Sequence, residues 1–255
     1  MTAPPRSFKR EILDEATDLR SAWEANAADW IAVARAPGHD SYWLYHREQF
    51  LELVPPPGRL TIDLGCGEGR LSRDLKALGH TVVGVDGSPT MVEAARAEDP
   101  SIEVHLADAA ELPFPDGHAD LVVAFMSLQD VQDAEGAVRE AARVLRPGGQ
   151  LCLAVVHPLG SAGRFSGNEP DDPFVIAGSY LARFRYRDTV ERGGFKITFE
   201  SEHRPIQWYF AALESAGFLV ERLRETDFPE HAVTESRNRR WQRVPVFLHV
   251  RALRP

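Results

Sequence analysis

Cysteine is scarce in this sequence, since only Cys66 and Cys152 occur among 255 residues. Two cysteines cannot build the disulfide framework of a small secreted protein, so the composition favours a reducing compartment. Long apolar runs are also missing, because no stretch approaches the roughly 18 apolar residues that a membrane-spanning helix needs. The N-terminal segment is rich in charge and lacks the apolar core of a secretory signal. We therefore expect a cytoplasmic protein that does not associate with membranes.

An excess of basic residues is missing as well. The chain has 29 Lys and Arg against 38 Asp and Glu, which gives a formal net charge of −9. Proteins that bind nucleic acids usually carry a basic surface, because neutralising phosphates supplies much of their affinity. The acidic balance therefore argues against a nucleic-acid partner. An arginine-rich segment near residue 240 is either a solvated loop or a docking patch, and it contains Arg237, Arg239, Arg240 and Arg243.

What the sequence does contain is a regular alternation of β-prone and helix-prone segments. Ser88 and Pro89, for example, have the residue types that cap and open a helix. Strands that alternate with helices indicate βαβ units and a parallel sheet. The predicted strands are Leu60–Leu64, Thr81–Val85, Ile102–Leu106, Leu121–Phe125, Leu151–Val156, Phe218–Arg224 and Val246–Ala252.

These segments predict a single domain with four parts. Residues 1–57 form an N-terminal cap that is helical from about Glu11 to Leu53, and a proline-rich stretch ends it. Residues 58–158 form the alternating core. Residues 159–204 are rich in Gly, Pro and charge and too long for an ordinary connection, which is typical of a lid over a binding site. Residues 205–255 contain the helix Ile206–Ala216 and the last two strands.

The strongest local motif is a glycine-rich turn, Asp63-Leu64-Gly65-Cys66-Gly67-Glu68-Gly69, between the first strand and the first helix. Glycines at this turn let the backbone approach a ligand closely. A dinucleotide site would prefer a third glycine where Arg70 stands. Asp86 ends the next strand and could hold both hydroxyls of a ribose, as in several nucleotide-binding families. The turn and Asp86 alone leave the ligand class open.

Four segments in order decide the ligand class. DLGCGEGR, VVGVDGSPTMVEAAR, ADAAELPFPDGHADLVV and RVLRPGG, between Arg59 and Val156, resemble the ubiquinone-biosynthesis-like branch of class I S-adenosylmethionine-dependent methyltransferases. The resemblance implies a doubly wound, Rossmann-like α/β sheet of seven strands, six parallel and the last antiparallel. It also implies S-adenosylmethionine as the cofactor.

The resemblance further implies roles for individual residues. Gly65, Cys66 and Gly67 would line the methionine part, with Asp63 near its amino group. Asp86 would bind the ribose, and Asp108 would accept from the adenine amino group, a donor that suits a carboxylate. Asp108 could instead only cap the turn after its strand. The remaining predicted cofactor contacts are Gly87, Ser88, Met91, Ala109, Ala110, Ala124, Phe125 and Met126.

The methyl acceptor leaves less trace in the sequence. The segment after the fourth strand, Met126-Ser127-Leu128-Gln129-Asp130, lacks the N/D-P-P-Y/F tetrad that the resemblance associates with methylation of amide-like or base nitrogens. We therefore expect transfer to O, N or C of a small molecule, with no metal. The predicted substrate contacts are Trp30, Gln129, His157, His203 and Arg204; Trp23 and Tyr42 are further aromatic candidates.

Of these, His157 could act as a general base, because histidine titrates near neutral pH, or it could simply end its strand. Three other functions stay open. They are a nicotinamide-dependent oxidoreductase, a non-catalytic S-adenosylmethionine-binding protein, and a tRNA or protein methyltransferase. The oligomeric state is not predicted.

Overall fold

The computed structural model describes residues 8–14, 17–36, 40–192 and 195–255. The strands are β1 Phe8–Leu13, β2 Thr61–Leu64, β3 Val82–Asp86, β4 Glu103–Leu106, β5 Ala119–Phe125, β6 Leu145–Val156, β7 Gly163–Phe165, β8 Phe174–Ile176, β9 Phe184–Arg192, β10 Phe195–His203, β11 Leu219–Thr226 and β12 Phe247–Leu253. The α-helices are α1 Leu19–Arg35, α2 Arg47–Leu51, α3 Arg70–Ala77, α4 Pro89–Glu98, α5 Ala134–Val144, α6 Pro158–Ala162 and α7 Ile206–Ser215.

Seven strands form the central sheet in the order β11-β12-β6-β5-β2-β3-β4. Strand β12 runs antiparallel to both of its neighbours, and the other six strands are parallel to one another. This confirms the predicted doubly wound α/β sheet with an antiparallel last strand. Among the described helices, none is long and apolar enough to cross a membrane.

The sheet is covered on both faces, which explains its continuous apolar strands. On one face, Val122 and Ala124 of β5 belong to a core cluster that also contains residues of α5 and α7. On the other face, Val123 of β5 packs in a second cluster with Phe50 of α2 and Leu75 of α3. Both cysteines are buried and free. Between these two cores, the carboxyl ends of the parallel strands all lie at the same edge of the central sheet.

The N-terminal prediction was partly wrong, because residues 8–13 form a strand, and among the described residues before Pro55 the helical ones are 19–35 and 42–51. Strand β1 pairs antiparallel with β9, and Arg10 lies opposite Asp188 in an ion pair of 2.6 Å. A cross-strand partner about 180 residues away stabilises this strand, and local pattern does not reveal such a partner. Residues 1–7, 15–16 and 37–39 of the predicted N-terminal cap lie outside the described residues.

The segment 159–204 was predicted as an irregular lid, but it contains regular elements. Strands β9 and β10 form an antiparallel hairpin that joins β1 in a three-stranded sheet, and β7 pairs with β8. Tyr186, Asp188 and Val190 of β9 are buried and alternate with less buried residues, which is a period-two strand signal that the prediction overlooked. Residues 193–194 of this segment lie outside the described part.

Candidate functional site

A cavity lies at the carboxyl ends of the parallel strands, beside the glycine-rich turn. It extends from Asp108, after β4, past Asp86 at the end of β3 and the turn after β2, to Asp130 beyond β5. This is the edge of an open parallel sheet where ligands bind. Residues of α1, including Trp23 and Trp30, form the outer wall.

The glycine-rich turn forms the cavity floor through backbone conformations that favour glycine. Gly65, Gly67 and Gly69 have φ values of 74°, 57° and 83°. A Cβ on Gly65 would lie 2.4 Å from the Cβ of Ser127, so any side chain there collides with the segment after β5. A Cβ on Gly67 would meet nothing closer than the Trp30 indole nitrogen at 3.9 Å. Backbone and ligand can therefore approach closely at this turn.

Asp86 braces the turn as well as lining the cavity. Its two carboxylate oxygens accept hydrogen bonds from the backbone N–H of Gly67 at 2.8 Å and of Ser88 at 2.9 Å. Burial raises the pKa of the Asp86 carboxyl, while these N–H groups act in the opposite direction. Each oxygen keeps a second lone pair, so the group can also accept from a diol.

Asp63 lies beneath the turn and is fully buried. Its carboxylate accepts a 2.6 Å hydrogen bond from the Ser72 hydroxyl, and burial raises its pKa to about 7. Asp108 is the opposite case, because its side chain is 47% exposed. It accepts from the Ala110 backbone N–H at 2.8 Å, and Arg20 lies 3.7 Å away. Asp108 thus caps the turn after β4 and lines the cavity, so the two alternatives for it are compatible.

The segment after β5 is held in a strained conformation at the cavity wall. Met126 has a φ of 58°, which is unusual for a residue other than glycine and is often found at functional sites. Gln129 supports it, because its side-chain nitrogen donates to the Met126 carbonyl at 2.8 Å. The Gln129 side-chain oxygen accepts from the Val156 N–H at 3.4 Å, which ties this segment to the end of β6.

Most of the predicted site residues come together here. The predicted residues that line the cavity are Trp30, Asp63, Gly65, Cys66, Gly67, Asp86, Gly87, Ser88, Met91, Asp108, Ala109, Phe125 and Met126. Six others lie outside the lining: Ala110, Ala124, Gln129, His157, His203 and Arg204. Ala124 is fully buried in the core, and Ala110 contributes its N–H to Asp108. Tyr42, a further aromatic candidate, is buried and donates to Asp74.

His157 is buried at the end of β6, and both of its ring nitrogens face protein groups. Nδ1 accepts from the Leu159 N–H at 3.2 Å and thereby caps α6, and Nε2 lies 2.9 Å from the Glu225 carboxylate. Burial lowers the pKa of His157, although Glu225 acts in the opposite direction. These contacts favour the strand-end alternative, and a catalytic role for His157 stays a prediction.

His203 and Arg204 are also buried and engaged. The His203 ring lies 2.6 Å from the Ser161 hydroxyl and 2.9 Å from the Tyr180 carbonyl oxygen. Arg204 pairs with Glu202 at 2.8 Å. Substrate contact by either residue stays a prediction.

Several lining residues were not predicted from the sequence. Arg20 of α1, Asp130 and Gln132 are three of them, whereas Trp23, a further aromatic candidate in the sequence, does line the cavity. The signal in the sequence for Asp130 was its place next to Gln129, in the segment that follows the predicted fourth strand. Which of the two neighbouring polar side chains faces the cavity depends on the path of the backbone, and the sequence alone does not give that path.

Comparison with known proteins agrees with this geometry. Residues 62–153 match the family model described as a methyltransferase domain. The chain is 32% identical over 194 residues to the ubiquinone/menaquinone biosynthesis C-methyltransferase of Caulobacter vibrioides, a match that covers 69% of this chain and 73% of that protein. It is 33% identical over 138 residues to a Mycobacterium tuberculosis protein named as a probable S-adenosylmethionine-dependent methyltransferase, covering 53% of this chain and 49% of that protein. The chain thus spans about half the length of its first curated relatives.

A solved structure has the same fold. The S-adenosylmethionine-dependent methyltransferase of Mesorhizobium loti superposes with a TM-score of 0.69 at 26% identity, and the match covers 84% of this chain and 98% of that one. The fold, the position of the cavity and the sequence similarity over more than two thirds of a relative all indicate the same family. This chain belongs to the class I S-adenosylmethionine-dependent methyltransferases, whose cofactor is S-adenosylmethionine.

Proposed function

We propose that this chain transfers a methyl group from S-adenosylmethionine to an O, N or C atom of a small-molecule acceptor and releases S-adenosylhomocysteine. The observation that carries the proposal is the continuous cavity that runs from Asp108 to Asp130 along the carboxyl edge of the sheet. In this proposal the nucleoside part of the cofactor occupies the end beside Asp86 and Asp108, and the acceptor occupies the end beside β5.

The charge of the cavity fits this cofactor. Five carboxylates line it, from Asp63, Glu68, Asp86, Asp108 and Asp130, against two guanidinium groups. A negative cavity attracts a cationic sulfonium and repels a pyrophosphate. The Gly65–Gly67 turn offers close backbone approach, but Arg70 stands where a dinucleotide-binding turn has the third glycine that allows close helix–strand packing, and its guanidinium pairs with Asp40.

The acceptor end is suited to catalysis by positioning. When bound, S-adenosylmethionine supplies an electrophilic methyl group, and most of the rate can come from holding an acceptor lone pair close to it in a dry site. Phe125, Met126 and Val131 line this end with apolar atoms that exclude water, and Trp23 closes it from α1.

Two observations favour a small molecule over tRNA or a protein as the acceptor. They are the net negative charge of the chain and the contacts that the arginine-rich segment makes within the chain. Arg239 pairs with Glu230, and the guanidinium of Arg243 donates to the Pro170 and Asp172 carbonyl oxygens. These contacts support the solvated-loop alternative for this segment. Because the Caulobacter vibrioides relative is named for C-methylation in quinone biosynthesis, hydroxylated aromatic rings are one acceptor class to include in any screen.

Two measurements test the proposal. Calorimetry should show binding of S-adenosylhomocysteine and none of NAD. Incubation of the purified protein with methyl-labelled cofactor and a metabolite extract should then label a small molecule, and Asp86→Ala should abolish the labelling. Labelling of tRNA together with a salt-dependent gel shift would favour the nucleic-acid alternative. Tight cofactor binding without any labelled product would favour a non-catalytic binding protein.

A further inference from the structure

Asp130 lies at the cavity wall beyond β5, at the opposite end from Asp108. Its carboxylate accepts hydrogen bonds from the Ser201 hydroxyl of β10 at 2.5 Å and from the Gln129 side chain at 3.4 Å. These contacts fix the carboxylate against two elements, so it does not swing away from the cavity that it lines.

This carboxylate has no cationic partner among the described residues. The nearest guanidinium that influences it belongs to Arg204, which is paired with Glu202 and donates to two backbone carbonyls. Tyr186 and Tyr209 are the other titratable groups that face it. Burial raises the pKa of Asp130 to about 7, in spite of the Ser201 and Gln129 hydrogen bonds. A bound cation would therefore relieve an uncompensated charge.

The Trp23 indole lies next to this carboxylate. The indole N–H is buried and has no hydrogen-bond acceptor of normal geometry. It is nevertheless close enough to Asp130 to stabilise the ionised carboxylate and so to lower its pKa. The ring meets Trp30 edge-on at 6.0 Å and Phe199 at 6.4 Å between centroids, so α1 and β10 hold it in place. Arg70 already lies over the Trp30 ring, which leaves Trp23 as the indole available to a ligand at this end.

We propose that the acceptor is an amine, bound as its ammonium ion between the Asp130 carboxylate and the Trp23 indole. Asp130 and Trp23 both line this end of the cavity, so an organic ammonium bound there can pair with the carboxylate and contact the indole. This inference rests on the proposed methyl transfer and names its acceptor class.

Asp130 also gives the amine its nucleophilic form. One N–H proton of the ammonium moves to a carboxylate oxygen, which leaves a neutral carboxylic acid and a neutral amine with a free electron pair. The Asp130 carboxylate lines the acceptor end of the cavity, so it is the group placed to take this proton.

The test is binding of a matched pair of probes, benzylamine and benzyl alcohol, to the protein saturated with S-adenosylhomocysteine. Tryptophan fluorescence and calorimetry at about pH 8 measure both, since the amine is then protonated and the carboxyl ionised. We expect benzylamine to bind at least about tenfold more tightly than the alcohol. Asp130→Asn should remove this preference, and Trp23→Phe should reduce it. Glu214→Gln, which neutralises an exposed carboxylate on α7, should leave it unchanged.

The outcomes separate this inference from the proposed function. Failure of the wild type to bind S-adenosylhomocysteine overturns the proposed function itself. If the cofactor product binds but the two probes bind equally, or neither binds at millimolar concentration, only the amine site is overturned. A preference that survives in Asp130→Asn overturns it too. The amine site is also overturned if Asp130→Asn weakens the binding of S-adenosylmethionine in the absence of any acceptor, because Asp130 would then compensate the charge of the sulfonium. The wild-type comparison stands even if a variant fails to fold.

Discussion

The Arg204 guanidinium lies 3.0 Å from the carbonyl oxygen of Leu128, in the segment that follows β5. It also donates to the Val131 carbonyl at 3.1 Å and pairs with Glu202 at 2.8 Å. The Trp208 ring covers it at 4.6 Å. Arg204 is therefore a second connection, besides the Ser201–Asp130 hydrogen bond, between the antiparallel hairpin and the cavity wall that carries Asp130.

Replacing this arginine should cost stability rather than acceptor binding. Arg204→Met leaves the Leu128 and Val131 carbonyl groups without this donor and removes one of the arginines paired with Glu202, which keeps Arg183 at 2.7 Å, so the free energy of unfolding should fall by about 2–3 kcal/mol. Urea denaturation measures this. Arg224→Met, which removes a partly exposed arginine paired with Glu52, should cost less than about 1 kcal/mol. An unchanged unfolding curve with a raised Michaelis constant for the acceptor would instead support direct substrate contact by Arg204.

Substitutions at Gly65 and Gly117 distinguish the cost of a positive φ from the cost of a steric collision. Both have positive φ, 74° and 64°, but only Gly65 has a close neighbour, since a Cβ on Gly117 would lie 3.8 Å from the nearest atom. Gly117→Ala should cost about 1–2 kcal/mol in unfolding free energy from the backbone alone. Gly65→Ala should cost a further 1–3 kcal/mol, roughly the scale of overpacking, and should weaken S-adenosylhomocysteine binding. Equal losses in the two variants would contradict the collision with Ser127.

The elements that could be predicted from the sequence are those whose signals are local. Residues 121–125 of β5 are apolar throughout because both faces of the sheet are covered, and Gly65 lies at a turn that only glycine fits. The strand β1 could not be predicted, because its partner Asp188 is distant in sequence. Likewise, the sequence placed Gln129 and His157 at strand ends but not the direction of their side chains. Gln129 turns back to Met126, and Asp130 lines the cavity instead.

Asp86 should be the carboxylate on which cofactor affinity depends most. Asp86→Ala should weaken S-adenosylhomocysteine binding by about 1.5–3 kcal/mol, the scale of losing hydrogen bonds to a charged partner. Because Asp86 also anchors the N–H groups of Gly67 and Ser88, the ligand-free variant should melt at a lower temperature. Asp108→Ala should weaken binding by less than about 1.5 kcal/mol, since that carboxylate is largely solvated. Calorimetry that ranks the two variants in the reverse order would contradict this account.

A buried histidine pair makes stability depend on pH. The Nε2 atoms of His46 and His249 lie 2.8 Å apart, and burial lowers the pKa of both rings, that of His249 to about 4. The unfolded chain binds their protons first, near pH 6.5, so their contribution is complete above about pH 6.5 and is lost as the pH falls towards 4. The expected slope is up to about 1.4 kcal/mol per pH unit for each histidine.

Other titratable groups change the stability in the opposite direction as the pH falls. The effect of the histidine pair is therefore measured as the difference between the wild type and a variant that lacks the pair. Asp63 and Asp130 have raised pKa values in the folded state, which stabilises the fold as the pH falls. Urea denaturation from about pH 7.5 to 4.5 should therefore give a flatter loss of stability for the His46→Phe/His249→Leu double variant than for the wild type. His231→Gln, at an exposed position, should follow the wild-type curve. Parallel curves for all three proteins would show that the pair binds protons equally in the folded and unfolded states, so that folding does not lower the two pKa values.

The remaining prediction separates the two roles of His157. A general base needs a ring nitrogen that reaches the acceptor, but here Nδ1 accepts from Leu159 and Nε2 faces Glu225. From these contacts we expect His157→Ala to lower the unfolding free energy by about 1–2 kcal/mol, the scale of a lost helix cap, and to leave turnover nearly unchanged. His157→Asn restores a capping side chain without an imidazole, so it should recover most of that stability.

Kinetics on the acceptor found by the labelled-cofactor screen complete this test. Turnover that falls by about 10²–10⁴-fold in both variants, while S-adenosylhomocysteine affinity barely changes, would establish His157 as the general base. A smaller loss confined to the acceptor's Michaelis constant would indicate positioning. If instead the asparagine variant matches the wild type in both stability and turnover, then His157 caps α6 at the end of β6. Proton removal then falls to a group that lines the cavity, and Asp130 is in the position to perform it.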